Sequence, residues 1–125
     1  MAEHFGHERL KVYQKGMQFA SMRKTLLERM SSQFTCSSDL LSKLDKSTTS
    51  IVLNTVEGNG RFSGKDQAKF LGIAYRATVQ SATLVDLATT DSCPADPSPV
   101  EEGRDLIRRI AAMLRQLSKA VRDDI

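Results

Sequence analysis

Apolar residues recur along the chain at three- and four-residue spacing in four separate stretches, the period of an amphipathic helix rather than the alternation of a strand. The first stretch runs from about Glu8 to Met30. In it Leu10, Tyr13, Met17, Ala20 and Leu27 form one stripe, and Val12, Phe19, Leu26 and Met30 form an adjacent one. The run Ser31-Ser32-Gln33-Phe34-Thr35-Cys36-Ser37-Ser38 is rich in small and polar loop formers and ends it. The second stretch starts with Ser38 or Asp39 as N-cap and stops at Gly58-Asn59-Gly60, with Leu41, Leu44, Thr48, Ile51 and Thr55 on its line and Leu40, Val52 and Val56 beside it. The third opens on Ser63-Gly64-Lys65-Asp66, a weak capping box. Its line is Phe70, Ala74, Ala77, Ser81, Leu84 and Ala88, flanked by Ile73 and Leu87. So many small residues let a neighbouring helix approach closely. After the Pro-rich break from Asp91 to Pro97, Ser98-Pro99-Val100-Glu101 is the strongest helix start in the chain: an N-cap serine, proline in the first turn and a glutamate three residues on. This last helix buries Leu106, Ile110, Met113, Leu117 and Ala120, with Ile107, Leu114 and Val121 alongside, and frays after Arg122.

Four helices of comparable length on short loops predict an all-α fold, an antiparallel up-down-up-down four-helix bundle, as one domain over 1–125 with residues 1–7 as a flexible arm. The first and third loops then share an end of the bundle. That end has room for Cys36 and Cys93 to meet as a disulfide or shared ligand, the default being two unrelated free loop thiols. The first helix has more apolar surface than one seam requires. The surplus, Val12, Phe19, Leu26 and Met30, is a candidate inter-subunit face.

Composition narrows the class. Of 125 residues 40% are hydrophobic, only 6% are aromatic, and there is no Trp. No apolar run approaches the roughly 18 residues of a membrane span. The charged start Met1-Ala2-Glu3-His4-Phe5-Gly6-His7-Glu8 shows no secretory pattern. A cytoplasmic protein with no membrane contact is expected.

Catalytic chemistry has little to work with. The two histidines, His4 and His7, sit in the arm, where with Glu3 and Glu8 they read as a solvated tail more readily than as a metal cluster. Gly58-Asn59-Gly60-Arg61 lacks the strand and the Gly-Lys-Ser/Thr of a phosphate loop. Inward glutamates with Glu-x-x-His motifs, as in a di-metal bundle, are missing. The expectation is a non-enzymatic protein with no cofactor and no metal.

Charge says more. The net charge is +3, with bases and acids intermixed. On the fourth helix, however, Arg104, Arg108, Arg115, Lys119 and Arg122 fall within an arc of roughly 60°, opposite the apolar stripe. Only Glu101 shares the arc, while Asp105 and Asp123 flank it. Lys11 and Lys15, with Arg29, make a looser second line on the first helix. A row of guanidinium groups suits a phosphate backbone, because each contact releases counterions. The alternative is an ordinary solvated face. The aromatics form no base-stacking platform, so any RNA or DNA contact is backbone-directed. At the second turn, Glu57, Arg61 and Asp66 crowd together as a buried or half-buried ion pair pinning the corner of the bundle, with a ligand site as the alternative.

Several motifs together carry a resemblance. Val12-Tyr13-Gln14-Lys15, then Asn54, then Glu57-Gly58-Asn59-Gly60-Arg61-Phe62-Ser63-Gly64-Lys65-Asp66, followed by Phe70-Leu71 and Ile73-Ala74, resemble the four-helix-bundle family of 23S ribosomal RNA intervening-sequence proteins, related to the accessory variability determinant of diversity-generating retroelements. Glu57, Gly58, Gly60, Arg61, Ser63 and Asp66 match the family motif and are read as structural. The resemblance implies an antiparallel bundle assembling into a homopentamer with a basic surface, and, in the retroelement branch, a nucleic-acid-binding partner of a reverse transcriptase. A protein of the intervening-sequence type, or a protein-only oligomeric scaffold, is the alternative.

Overall fold

The computed structural model describes residues 11–22, 38–90 and 98–123, without the side chains of Ser38, Leu41, residues 88–90, Ser98, Pro99, Arg122 and Asp123. All the secondary structure among them is helical. Helix α1 is described over 11–22, α2 spans Ser38–Asn59, α3 Gly64–Thr90 and α4 Ser98–Asp123. The four helical stretches fall where the apolar periodicity puts them. The arm, His4, His7, Leu26, Leu27, Arg29, Met30, Cys36 and Cys93 lie outside the described residues.

Helix α3 packs against α2 on one side and α4 on the other. Ser47 of α2 meets Ser81 of α3, and Gly58 meets Phe70. Tyr75 of α3 meets Arg115 of α4, and Asp86 meets Arg104. In both seams the partners run in opposite chain order, so each pair is antiparallel. The two points of each seam are eleven residues apart on either helix, which is about three turns. Equal spacing on both partners means that the axes run side by side and do not cross steeply.

The α2–α3 seam is built from small and hydroxyl-bearing residues. Thr48, Thr55, Thr78 and Ser81 are buried, and each returns its hydroxyl proton to the carbonyl one turn back at 2.7–3.0 Å. Ser47 and Ser81 also lie 2.8 Å apart across the seam. Each serine has one proton, so one hydroxyl donates across while the other donates to its own helix. No buried side-chain polar atom among the described residues is left without a partner. The α3–α4 side is aliphatic at its centre: Leu71, Ala74 and Val85 join Leu106, Ile110 and Leu114 in the core.

The buried line of α1 differs from the expected one. Val12, Gly16 and Phe19 face inward, and Met17 is 45% exposed. The line passes through a glycine, which adds nothing to a hydrophobic tally yet lets α1 come within reach of Val52 and Ile51 of α2. Val12 and Phe19 therefore belong to the core and cannot serve as an inter-subunit face. On α3 the innermost line is Leu71, Ala74, Thr78, Ser81 and Val85; Phe70 and Leu84 are only partly covered, and Leu87 is exposed. Ala120 on α4 is exposed as well.

Two glycines of the corner and of α3 behave oppositely. A Cβ at Gly58 would lie 3.1 Å from the Phe70 Cβ and 3.3 Å from the Gln67 carbonyl oxygen, atoms held by the first turns of α3. A Cβ at Gly72 would meet nothing within 4 Å. Gly58→Ala is therefore expected to destabilise the fold by about 1–3 kcal/mol through overpacking. Gly72→Ala should stabilise it by about 0.5–1 kcal/mol through helix propensity. Urea denaturation of both variants checks the pair of opposite signs.

Candidate nucleic-acid interface

The basic row of α4 has two electrostatic regimes. Near its start Arg104 is clamped: its Nε and Nη2 lie 3.0 Å from Asp86 Oδ1 of α3, and its Nη1 lies 3.1 Å from Glu101. Its side chain is 30% exposed. Two carboxylates thus cancel the first member of the row. Further along, Arg108, Arg115 and Lys119 are exposed and have no carboxylate within salt-bridge distance among the described residues. Arg122 follows on the same helix, its side chain outside the described set.

Arg115 is oriented without being neutralised. Its Nη2 donates to the Tyr75 hydroxyl at 2.8 Å, and its guanidinium carbon stands 5.6 Å from the Tyr75 ring centroid. The phenol is uncharged, so the full cationic charge remains. Beside this pair α3 and α4 leave a cleft of about 300 Å³ lined by Gly72, Tyr75, Arg76, Arg115 and Ser118. Arg76 is exposed and, like Arg115, has no carboxylate partner among the described residues. Sequence reasoning missed Arg76 and Tyr75. Both lie on a different helix from the row, and only the register of α3 against α4 brings them to it.

The lysines of α1 are placed elsewhere. Lys11 lines a groove with Met113, Gln116, Leu117 and Ala120, on the flank of α4 turned from α3, and Lys15 is half-buried. They extend the positive surface around the bundle but do not join the row. Arg109, on that same outer flank, is paired with Asp105 at 3.1 Å.

The corner motif is structural in its contacts, although its ion pair is not buried. Arg61 pairs with Glu57 with both side chains about half exposed. Asp66 takes no part in that pair; its backbone N–H is capped by Ser63 Oγ at 3.0 Å. The Arg61 guanidinium instead lies over the Phe70 ring at 4.8 Å, and the Gln67 side chain donates to the Arg61 carbonyl at 2.8 Å. Gly60 and Arg61 close the turn by donating to the carbonyls of Val56, Glu57 and Gly58. No glycine of the turn takes a positive φ, so close approach and not left-handed backbone explains Gly58. Among the described residues no three His, Cys, Asp or Glu side chains gather as metal ligands, and no helix is long and apolar enough to cross a membrane.

Fold and surface together define a small all-helical bundle protein with a basic row, neutralised at its start and uncompensated further along, beside one helix seam. The chain belongs to the family of 23S rRNA-intervening sequence proteins, whose family model matches residues 8–116. Neither the curated proteins nor the solved structures gave a match.

The Arg104 clamp is a surface ion-pair network, with Asp86 63% exposed. Asp86→Asn should therefore change the unfolding free energy by less than about 1 kcal/mol. Urea denaturation measures this, and a larger loss would show that the clamp holds α3 to α4.

Proposed function

We propose that this protein is a non-enzymatic, homo-oligomeric accessory protein that binds RNA or DNA through the phosphate backbone and serves a retroelement reverse transcriptase. The observation that carries the reading is the run Arg108, Arg115 and Lys119 on α4, exposed and without a carboxylate partner among the described residues. Along a helix axis these residues are spaced by about 10.5 Å and 6 Å, so a single extended strand can reach all three. Each neutralised phosphate releases condensed counterions, and that entropy drives binding without reading sequence. Tyr75 is engaged by Arg115, which supports backbone contact over base stacking. The family's name itself refers to 23S rRNA, a polyanion.

Oligomerisation is supported by the division of the surface. The exposed large apolar side chains among the described residues, Met17, Leu53, Val56, Phe62, Val79 and Leu87, lie on α1, α2, α3 and the turn between α2 and α3. None of these six lies on α4, and a subunit contact through those of α1 and α2 leaves the α4 row open. Five subunits is the number the family resemblance implies, and light scattering reads it directly. A protein-only scaffold is the competing reading, favoured by the neutralised state of Arg104.

A salt-titrated gel shift with RNA and DNA probes separates the two. Binding should be present at low salt and fall steeply as salt rises. Arg108→Glu combined with Lys119→Glu should lower the slope of log K against log salt by about 2, close to one per lost phosphate contact. No retention of either probe at low salt leaves the scaffold. Co-purification with a reverse transcriptase encoded beside the protein tests the partner.

A further inference from the structure

We propose that the cleft between α3 and α4 is a built seat for one phosphodiester group of the bound strand, gripped by Arg76 from α3 and Arg115 from α4. The inference rests on the nucleic-acid reading above and locates its anchor. Two guanidinium groups from different helices line a single depression of about 300 Å³, and no acidic residue is among its lining residues. Arg76 is held by no carboxylate among the described residues, and Arg115 is held by a phenol.

That difference in tether separates the start of the row from its middle. A carboxylate tether, as at Arg104, orients a guanidinium and cancels its charge. A phenol tether, as at Arg115, orients it and leaves the charge for a ligand. One N–H of Arg115 is spent on Tyr75, and a guanidinium carries five, so a fork of donors remains for phosphate oxygens. Ser118, one turn after Arg115 on the cleft side, adds a hydroxyl.

Gly72 supplies the remaining element. A glycine inside a helix costs about 1 kcal/mol relative to alanine. Close packing accounts for Gly58 but not for Gly72, where an added Cβ would meet open space. That open space belongs to the cleft, which Gly72 lines. A side chain there would stand where the phosphate sits.

The test uses the full chain and a short fluorescein-labelled single-stranded oligonucleotide, read by anisotropy across a salt series. Gly72→Leu fills the cleft while keeping both arginines, and Arg76→Gln removes one jaw. Each should weaken binding about tenfold at low salt, the worth of one charge-assisted contact, and lower the salt slope by about 1. Circular dichroism melting confirms that both variants stay folded. If the wild type binds and both variants bind with its affinity and slope, the seat is overturned while the row on α4 stands. If the wild type binds no oligonucleotide, both readings fall together. Calorimetry with inorganic phosphate at constant ionic strength separates the sources of the anion: phosphate binding abolished by Gly72→Leu, without oligonucleotide binding, would assign the cleft to a free phosphorylated ligand and overturn the proposal.

Discussion

The structure depends on the rotational setting of α3 between two unlike seams. Against α2 it presents small residues and hydroxyls, pinned at Ser47–Ser81 and at Gly58–Phe70. These two points fix which way α3 faces. Once Ser81 looks at α2, the helical period sends Tyr75 and Asp86 toward α4, where they meet Arg115 and Arg104. The hydroxyl bonds contribute only about 1 kcal/mol each. Fully buried Leu44, Ile51, Leu71, Ile110 and Leu114 contribute about 1.5–3 kcal/mol apiece. Aliphatic burial thus stabilises the bundle, and the serines and the glycine select one rotation among those that burial alone would permit.

That rotation has an electrostatic consequence. Arginines spaced along one face of α4 would be equivalent if the face looked only at water. They are not, because α3 offers a carboxylate at Asp86 and a phenol at Tyr75, and each claims the arginine opposite it. The row is therefore graded from a neutralised start to an uncompensated middle. Exposed ion pairs are worth little to stability. Their weight here lies in which cations they leave available.

The helical stretches, one cap and most of the core were legible because apolar periodicity and turn residues act locally. Ser63 caps α3, as the sequence pattern requires. Two of the errors share a cause. On α1 the inward line runs through Gly16, and on α3 through Thr78, so a count of hydrophobic side chains drifts toward Met17 and Leu87, which are exposed. The site shows the same limit. The row on α4 was readable from its helical arc, because one helix carries all of it. The clamp on Arg104 and the pairing of Tyr75 and Arg76 with Arg115 depend on the register between two helices, which no local pattern encodes.

The remaining question of scale is whether three uncompensated cations are enough for a polyanion. In one copy they release few counterions, and each exposed contact with a phosphate is weak at physiological salt. Assembly changes the arithmetic. If copies meet through the exposed apolar side chains of α1 and α2, symmetry repeats the α4 row at an equivalent position on every subunit. A strand held by one row is then presented to the next at high effective concentration, and avidity exceeds the single-row affinity without any new residue. A short row on each subunit is sufficient under that arrangement, and the same row on a monomer would not be. Under the proposed reading, exposed apolar surface outside α4 and uncompensated charge on α4 act together, because assembly through the first multiplies the second.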